Sequence, residues 1–389
     1  FTHWCFEVFR IENITYLFDY NYDFDPRYIP PLDYHLPLGS LVRVSYREDS
    51  PYVVRRENGQ LIVERNGQFL STLEWTQRPD FYDRFTSDGI EMKKIGQVQG
   101  DCCLTICFTN TCLNWRNGNE CRYCNINSAQ KDALNKGTVL ITKKPQQIGE
   151  TTAAWLEEVR RKGLNFHSIL VAGTLPGIKA SDITVNILKA MLEHTGLPAL
   201  DGGLINIAAP MTLEEIDRIY EAGGRNIAFN LEVWDPDTFK VICPGKHVNI
   251  GRNTFLNALE HAADVFGRTH VCSVFVCGLE EKEKYLEAAR YLSERGVWIL
   301  AAPWIVMKGS RLEGHRSPTT DWHLDINEEV LDILIANMPE ILTEEFFKSG
   351  NLTCYRCQPF TIFWDLLRIR LGGMTIPLGI DKEKAAVTG

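Results

Sequence analysis

The chain has little that would suit it to nucleic acid or to a bilayer. Its 41 lysines and arginines are outweighed by 50 acidic residues, for a net charge of -9. A nucleic-acid partner would call for a basic face instead. No apolar run approaches the length of a membrane span, and the longest, 297–307, is broken by Pro303 and reads as a buried strand. The first residues, FTHWCFEVFR, carry neither an initiator Met nor a signal-peptide pattern, so the native start is expected upstream. No G-x-G-x-x-G follows a strand-like run, which argues against a dinucleotide fold. H-x-x-x-H pairs, phosphate-binding loops and an ordered Ser-His-Asp set are also lacking, and His167, His194 and His261 read as solvated or capping residues.

What is present fits a cytoplasmic enzyme acting on a small molecule or a peptide, with 44% hydrophobic and 23% charged residues in 389. Near the start, two Asn-Gly pairs, Asn58-Gly59 and Asn66-Gly67, separate the runs 52–57, 60–65 and 68–72. Asn-Gly favours a two-residue type I′ turn, so this spacing predicts a three-stranded meander. The Asp-, Tyr- and Pro-rich stretch 18–36 reads as irregular chain. From about residue 97, apolar runs at 100–108, 168–174, 204–209, 226–233, 270–277 and 297–302 alternate with amphipathic stretches. Helices are expected at 147–162, at 212–222 behind a Thr212-x-x-Glu215 capping box, and at 282–295. Strand, helix, strand in this order gives parallel strands with right-handed crossovers.

The fold class is therefore α/β. A partial (β/α)6 TIM-like barrel spans 97–310, a β-rich N-terminal appendage spans 1–96, and a helical C-terminal extension spans 311–389. Helix is expected from 325 to 347 with a break at Pro339, before a C-x2-C loop and the apolar stretch 360–371. Such a barrel places its site at the carboxyl ends of its strands.

Six of the twelve cysteines crowd between Cys102 and Cys124, a distribution that fits metal ligation better than a disulfide framework. Cys112, Cys121 and Cys124 form a C-x8-C-x2-C run just after the first barrel strand. Three thiolates leave one position of a metal site open, which suits chemistry rather than stapling. Cys103, Cys107, Cys354 and Cys357 are candidates for a second iron-sulfur cluster or a single metal ion. Cys272 and Cys277 read as buried hydrophobes, and Cys243 is a weaker candidate for approach to the site. The competing reading of the motif is a zinc ribbon made by Cys121, Cys124, Cys354 and Cys357, in a binding protein without catalysis.

The run ending in CRYC, after the first strand of a β/α repeat, resembles the radical S-adenosylmethionine (radical SAM) superfamily. Tyr123 fills that family's aromatic position, and residues 116–120 are an insertion relative to its usual C-x3-C spacing. The resemblance implies that Cys112, Cys121 and Cys124 hold a [4Fe-4S] cluster whose open iron binds SAM. It also implies an external reductant of flavodoxin or ferredoxin type. Residues expected near SAM are Tyr123, Gly173 and Thr174, then Asn230 and Glu232, then Gly278 and Glu280, with 302–304 completing the pocket. The reaction would functionalise an unactivated C–H bond in cofactor biosynthesis or in protein or peptide modification. An alternative within the family is a cobalamin-dependent C-methyltransferase acting on a protein side chain, as on methyl-coenzyme M reductase. Asp321-Trp322-His323 lacks the glycine of the D-x-H-x-x-G cobalamin loop, so no B12 domain is visible.

Overall fold

The two Asn-Gly pairs turn the chain where the spacing predicts. Asn58 and Gly59 take φ of 49° and 83°, and Asn66 and Gly67 take 51° and 80°, the left-handed pairs that a type I′ hairpin needs. The computed structural model describes residues 9–11, 33–37, 41–43, 51–109, 111–116, 118–135, 137, 140–175, 180–349, 356–357 and 362–372. The irregular stretch expected at 18–36 lies mostly outside these residues. Its end, Asp33–His35, pairs into a sheet.

Strands β1 (Phe9–Ile11), β2 (Asp33–His35), β3 (Leu41–Arg43), β4 (Tyr52–Glu57), β5 (Gln60–Arg65) and β6 (Gln68–Trp75) form one sheet in the order β1-β4-β5-β6-β2-β3. Its buried side, with Tyr34, Tyr52, Val54, Val63 and Leu73, makes a small core of its own.

The second sheet begins with β7 (Gln97–Gln99), antiparallel to β8 (Cys103–Thr109). Five strands follow in parallel: β9 (His167–Ala172), β10 (Leu200–Asn206), β11 (Gly224–Ala228), β12 (Val271–Cys277) and β13 (Val297–Pro303). Spatial order equals chain order and β13 does not close onto β7, so the six parallel strands make the expected partial barrel.

Helices α1 (Leu113–Arg116), α2 (Ile126–Asn135), α3 (Pro145–Arg161), α4 (Ala180–Thr195), α5 (Glu214–Glu221), α6 (Pro236–Ile242), α7 (Pro244–Asn249), α8 (Arg252–Phe266) and α9 (Lys282–Glu294) fill the connections. Half of the expected capping box of α5 forms: Thr212 N donates to Glu215 Oε2 at 3.4 Å, while no side chain caps the helix N-terminus. The helix starts two residues late, and Glu215 is buried and accepts from Ser181 Oγ at 2.9 Å. By contrast α6 begins as its sequence dictates, with Pro236 at the first helical position and the Asp235 carboxylate accepting from the Asp237 and Thr238 amides.

The extension supplies α10 (Thr320–Asn337), then a 3-10 turn over Pro339–Ile341 where the break is expected, α11 (Glu344–Ser349) and α12 (Phe363–Arg370). Trp298 of β13 packs against Phe346, Phe363 and Trp364, so this cap covers the last strand with aromatic surface. Among the described residues, no helix is long and apolar enough to cross a membrane.

Candidate metal and cofactor site

The cysteine run leaves the carboxyl end of β8, and neighbouring strand ends hold it in place. Leu113 N donates to Thr174 O at 2.6 Å, just beyond β9. A Cβ built on Gly173 would lie 2.7 Å from Thr111 O and 2.8 Å from Cys112 Cβ, so only glycine lets these chains approach. Arg122 N donates to Ile242 O at 2.8 Å, and Leu312 N to Arg122 O at 3.1 Å. The loop is thus fixed from the β9, β11 and β13 ends.

The eight-residue gap between Cys112 and Cys121 is structured, not slack. It contains α1, and Asn114 accepts from Asn249 Nδ2 at 2.8 Å. Gly245 comes so close that a Cβ there would fall 2.4 Å from both Asn114 Cγ and Asn119 O. Glu120 is buried beside the second cysteine, with Oε1 accepting from Arg311 and Oε2 having no hydrogen-bond partner among the described residues.

The environments of the sulfurs differ. Hydrogen bonding with Cys243 is the main cause holding the Cys121 thiol below its ordinary value, and the Lys246 ammonium adds to it against burial. Tyr123 adds a smaller effect in the same direction. Burial pushes Cys124 up to about 11, with Cys121 and Cys112 adding to the rise and the Trp115 indole N–H opposing it. Cys112 and Cys121 both act on Cys124, so the three thiols stand near one another.

Glu232 reaches the same site through a backbone conformation that non-glycine residues seldom adopt, φ 75°. Its amide donates to Val274 O at 3.1 Å and its carbonyl accepts from Val276 N at 2.8 Å, which pins that conformation against β12. Lys246 Nζ donates to Glu232 Oε1 at 2.6 Å and to Asn230 O at 2.7 Å. Burial alone would lower the lysine, but Glu232, Cys121 and Cys243 outweigh it and hold it above its ordinary value. Sequence reasoning did not single out Lys246; its only signal was its place behind Cys243-Pro244-Gly245.

The other expected residues stand as follows. The Asn230 side chain bridges strands, donating to Asn206 Oδ1 and accepting from Val274 N, both at 3.2 Å. Thr174 lies beside Asn114, whose Nδ2 is 3.4 Å from its hydroxyl. Gly278 has φ 110°, and a Cβ on it would lie 2.6 Å from Pro318 Cδ. The Glu280 carboxylate accepts from the Trp234 and Asp235 amides at 2.6 and 2.9 Å, and burial raises it to about 7. These two residues brace the loops after β11 and β12. Trp304, after β13, is buried and its indole N–H has no hydrogen-bond partner among the described residues.

The remaining cysteines separate into two kinds. Burial pushes Cys272 up to about 12 and Cys277 well above its ordinary value, as expected of inert core thiols. Cys357 does not join Cys121 and Cys124, which overturns the zinc-ribbon reading. It packs with Cys102 and His167 at the amino ends of β8 and β9, a strand length of about 20 Å from the cysteine run. Cys103 and Cys107 are not members of that group. His167 is buried within it and is not solvated. Cys354 lies outside the described residues.

No family model matches the chain. Bacteriochlorophyllide c C-7(1)-hydroxylase of Chlorobaculum limnaeum is 23% identical over 239 residues, spanning 60% of this chain and 60% of that protein's length. Methylornithine synthase (PylB) is similar in structure, with 19% identity, a TM-score of 0.46, and 72% and 71% of the two chains covered. HydG, a maturase of the [FeFe]-hydrogenase, has 19% identity and a TM-score of 0.45, covering 61% of this chain and 49% of its own. HemN, the coproporphyrinogen III oxidase of Escherichia coli described as a radical SAM enzyme, has 12% identity and a TM-score of 0.38, covering 65% and 58%.

Proposed function

We propose that this chain is a radical SAM enzyme that functionalises an unactivated C–H bond. What supports the reading is that Cys112 and Cys121 both act on Cys124 beyond the carboxyl end of β8, with an amide frame on three sides and a charged pair that acts on Cys121. The donor set suits a [4Fe-4S] cluster, since three thiolates leave one iron without a protein ligand. Cys112, Cys121 and Cys124 would hold this cluster, which with SAM and an external reductant would supply the radical chemistry for hydrogen-atom abstraction from substrate.

The chain's own part is to hold and shield. Lys246 and the Cys243 thiol favour the thiolate of Cys121, the form that ligates iron. Gly173 and Thr174 set the height of the Cys112 backbone. Trp115 favours the Cys124 thiolate against the burial that opposes it. Trp304 offers an uncommitted donor at the strand ends where SAM would lie. Glu232 lies within reach of the same region, though its charge is neutralised by Lys246.

The name of the curated relative, a hydroxylase of one carbon position, agrees with C–H functionalisation, and the substrate class remains cofactor or peptide. Asp321, Trp322 and His323 form the first turn of α10 and not a loop, so they offer no support for a cobalamin step. The test is anaerobic reconstitution with iron and sulfide. The wild-type chain should turn brown and bind iron through Cys112, Cys121 and Cys124, whereas the Cys121→Ala/Cys124→Ala variant should stay colourless. A colourless wild-type chain, or equal iron in both, refutes the reading.

A further inference from the structure

We propose that Cys102, His167 and Cys357 bind one zinc ion that clamps the C-terminal extension onto the floor of the barrel. The three come from separate segments: the turn before β8, the first residue of β9, and the extension. Cys103 pairs with His167 in the β8–β9 register, which sets Cys102 beside the imidazole. Cys102 Sγ lies 3.2 Å from Cys357 Sγ and 3.8 Å from His167 Nδ1. All three ligand atoms fall within 4.8 Å of one another. Around tetrahedral zinc, with Zn–S near 2.3 Å and Zn–N near 2.0 Å, neighbouring ligand atoms stand about 3.5–3.8 Å apart. A disulfide would need about 2.05 Å between the sulfurs.

Charge and burial point the same way. The three residues are 0%, 2% and 0% exposed, a setting in which an uncompensated ion is costly. Two thiolates and a neutral imidazole around a dication sum to zero. Thiolate and imidazole together favour zinc over the harder divalent ions.

The backbone is built to present these atoms. Cys102 O accepts from His167 N at 3.2 Å and from the Trp155 indole at 3.3 Å. Asp101 N donates to Arg356 O at 2.9 Å, and the Arg356 guanidinium returns to Asp101 Oδ2 at 3.1 Å. Gly100, at φ 62°, must be glycine because a Cβ there would lie 2.0 Å from Arg356 O. This frame brings Cys357 to Cys102 across 255 positions of sequence. One ion on both would cross-link a very long loop, the case in which closure constrains the unfolded chain most.

The experiment uses the full chain carrying Cys112→Ala, Cys121→Ala and Cys124→Ala, purified without oxygen and passed over a metal-chelating resin. Elemental analysis should find about one zinc per chain, and X-ray absorption at the zinc edge should show two sulfurs at about 2.3 Å with a nitrogen shell. Adding Cys102→Ser and Cys357→Ser should remove the zinc. If that variant fails to fold, the edge spectrum of the parent decides alone. Absence of zinc from the parent, a zinc shell of oxygen and nitrogen only, or a Cys102–Cys357 disulfide in unreduced peptide maps overturns the proposal.

Discussion

Lys246 and Glu232 form an ion pair at 2.6 Å with both side chains largely withdrawn from water, and the pair stands behind the Cys121 sulfur. Removing only the lysine would strand a buried carboxylate, a loss of about 3–5 kcal/mol in comparable pairs. Lys246→Met should therefore lower the denaturant midpoint sharply and reduce iron bound per chain. Glu232→Gln combined with Lys246→Met should recover much of the stability but not the iron, because the cation near Cys121 stays missing. Denaturation curves and iron counts on wild type and the two variants check this, and equal iron in the double variant and wild type would contradict it.

Gly173→Ala tests the backbone approach. The new methyl would meet Thr111 O and Cys112 Cβ below 3 Å, and neither is the end of a flexible chain. Overpacking of this kind costs about 1–3 kcal/mol. The variant should stay folded by circular dichroism yet bind less iron than Gly163→Ala, which replaces a glycine with open space around it.

His323 gives the extension an acid-sensitive seam. Burial lowers its pKa from an ordinary 6.5 to about 4, with Nε2 3.0 Å from Ser317 Oγ. The unfolded chain thus binds a proton near pH 6.5 that the folded chain refuses until about 4. The contribution is fully present above 6.5 and is lost as pH falls toward 4, by at most about 3 kcal/mol. Stability measured from pH 7 to 4 should fall less steeply in His323→Gln than in wild type. Parallel curves would remove the histidine from the account.

Local signals carried the fold. Asn58-Gly59 and Asn66-Gly67 mark their turns because the type I′ geometry selects that pair. The six apolar runs marked the strands, and Cys112, Cys121 and Cys124 lay close enough in sequence to be read together. Partners from distant segments were not legible. Nothing near His167 announces that it faces Cys102 and Cys357, since the contact depends on β8–β9 register and on an extension whose Cys357 follows Cys102 by 255 positions. The expected SAM contacts at Gly278 and Glu280 rested on resemblance to a glycine turn, which does not reveal that Pro318 packs beside Gly278 or that the Trp234 amide donates to Glu280.

The most direct measurement is formation of 5′-deoxyadenosine from SAM by the anaerobically reconstituted chain with dithionite. Wild type should produce it, and Cys112→Ala, Cys121→Ala and Cys124→Ala should each abolish it. Cleavage that survives in these variants, or no cleavage by a wild-type chain carrying a full complement of iron, would contradict the account.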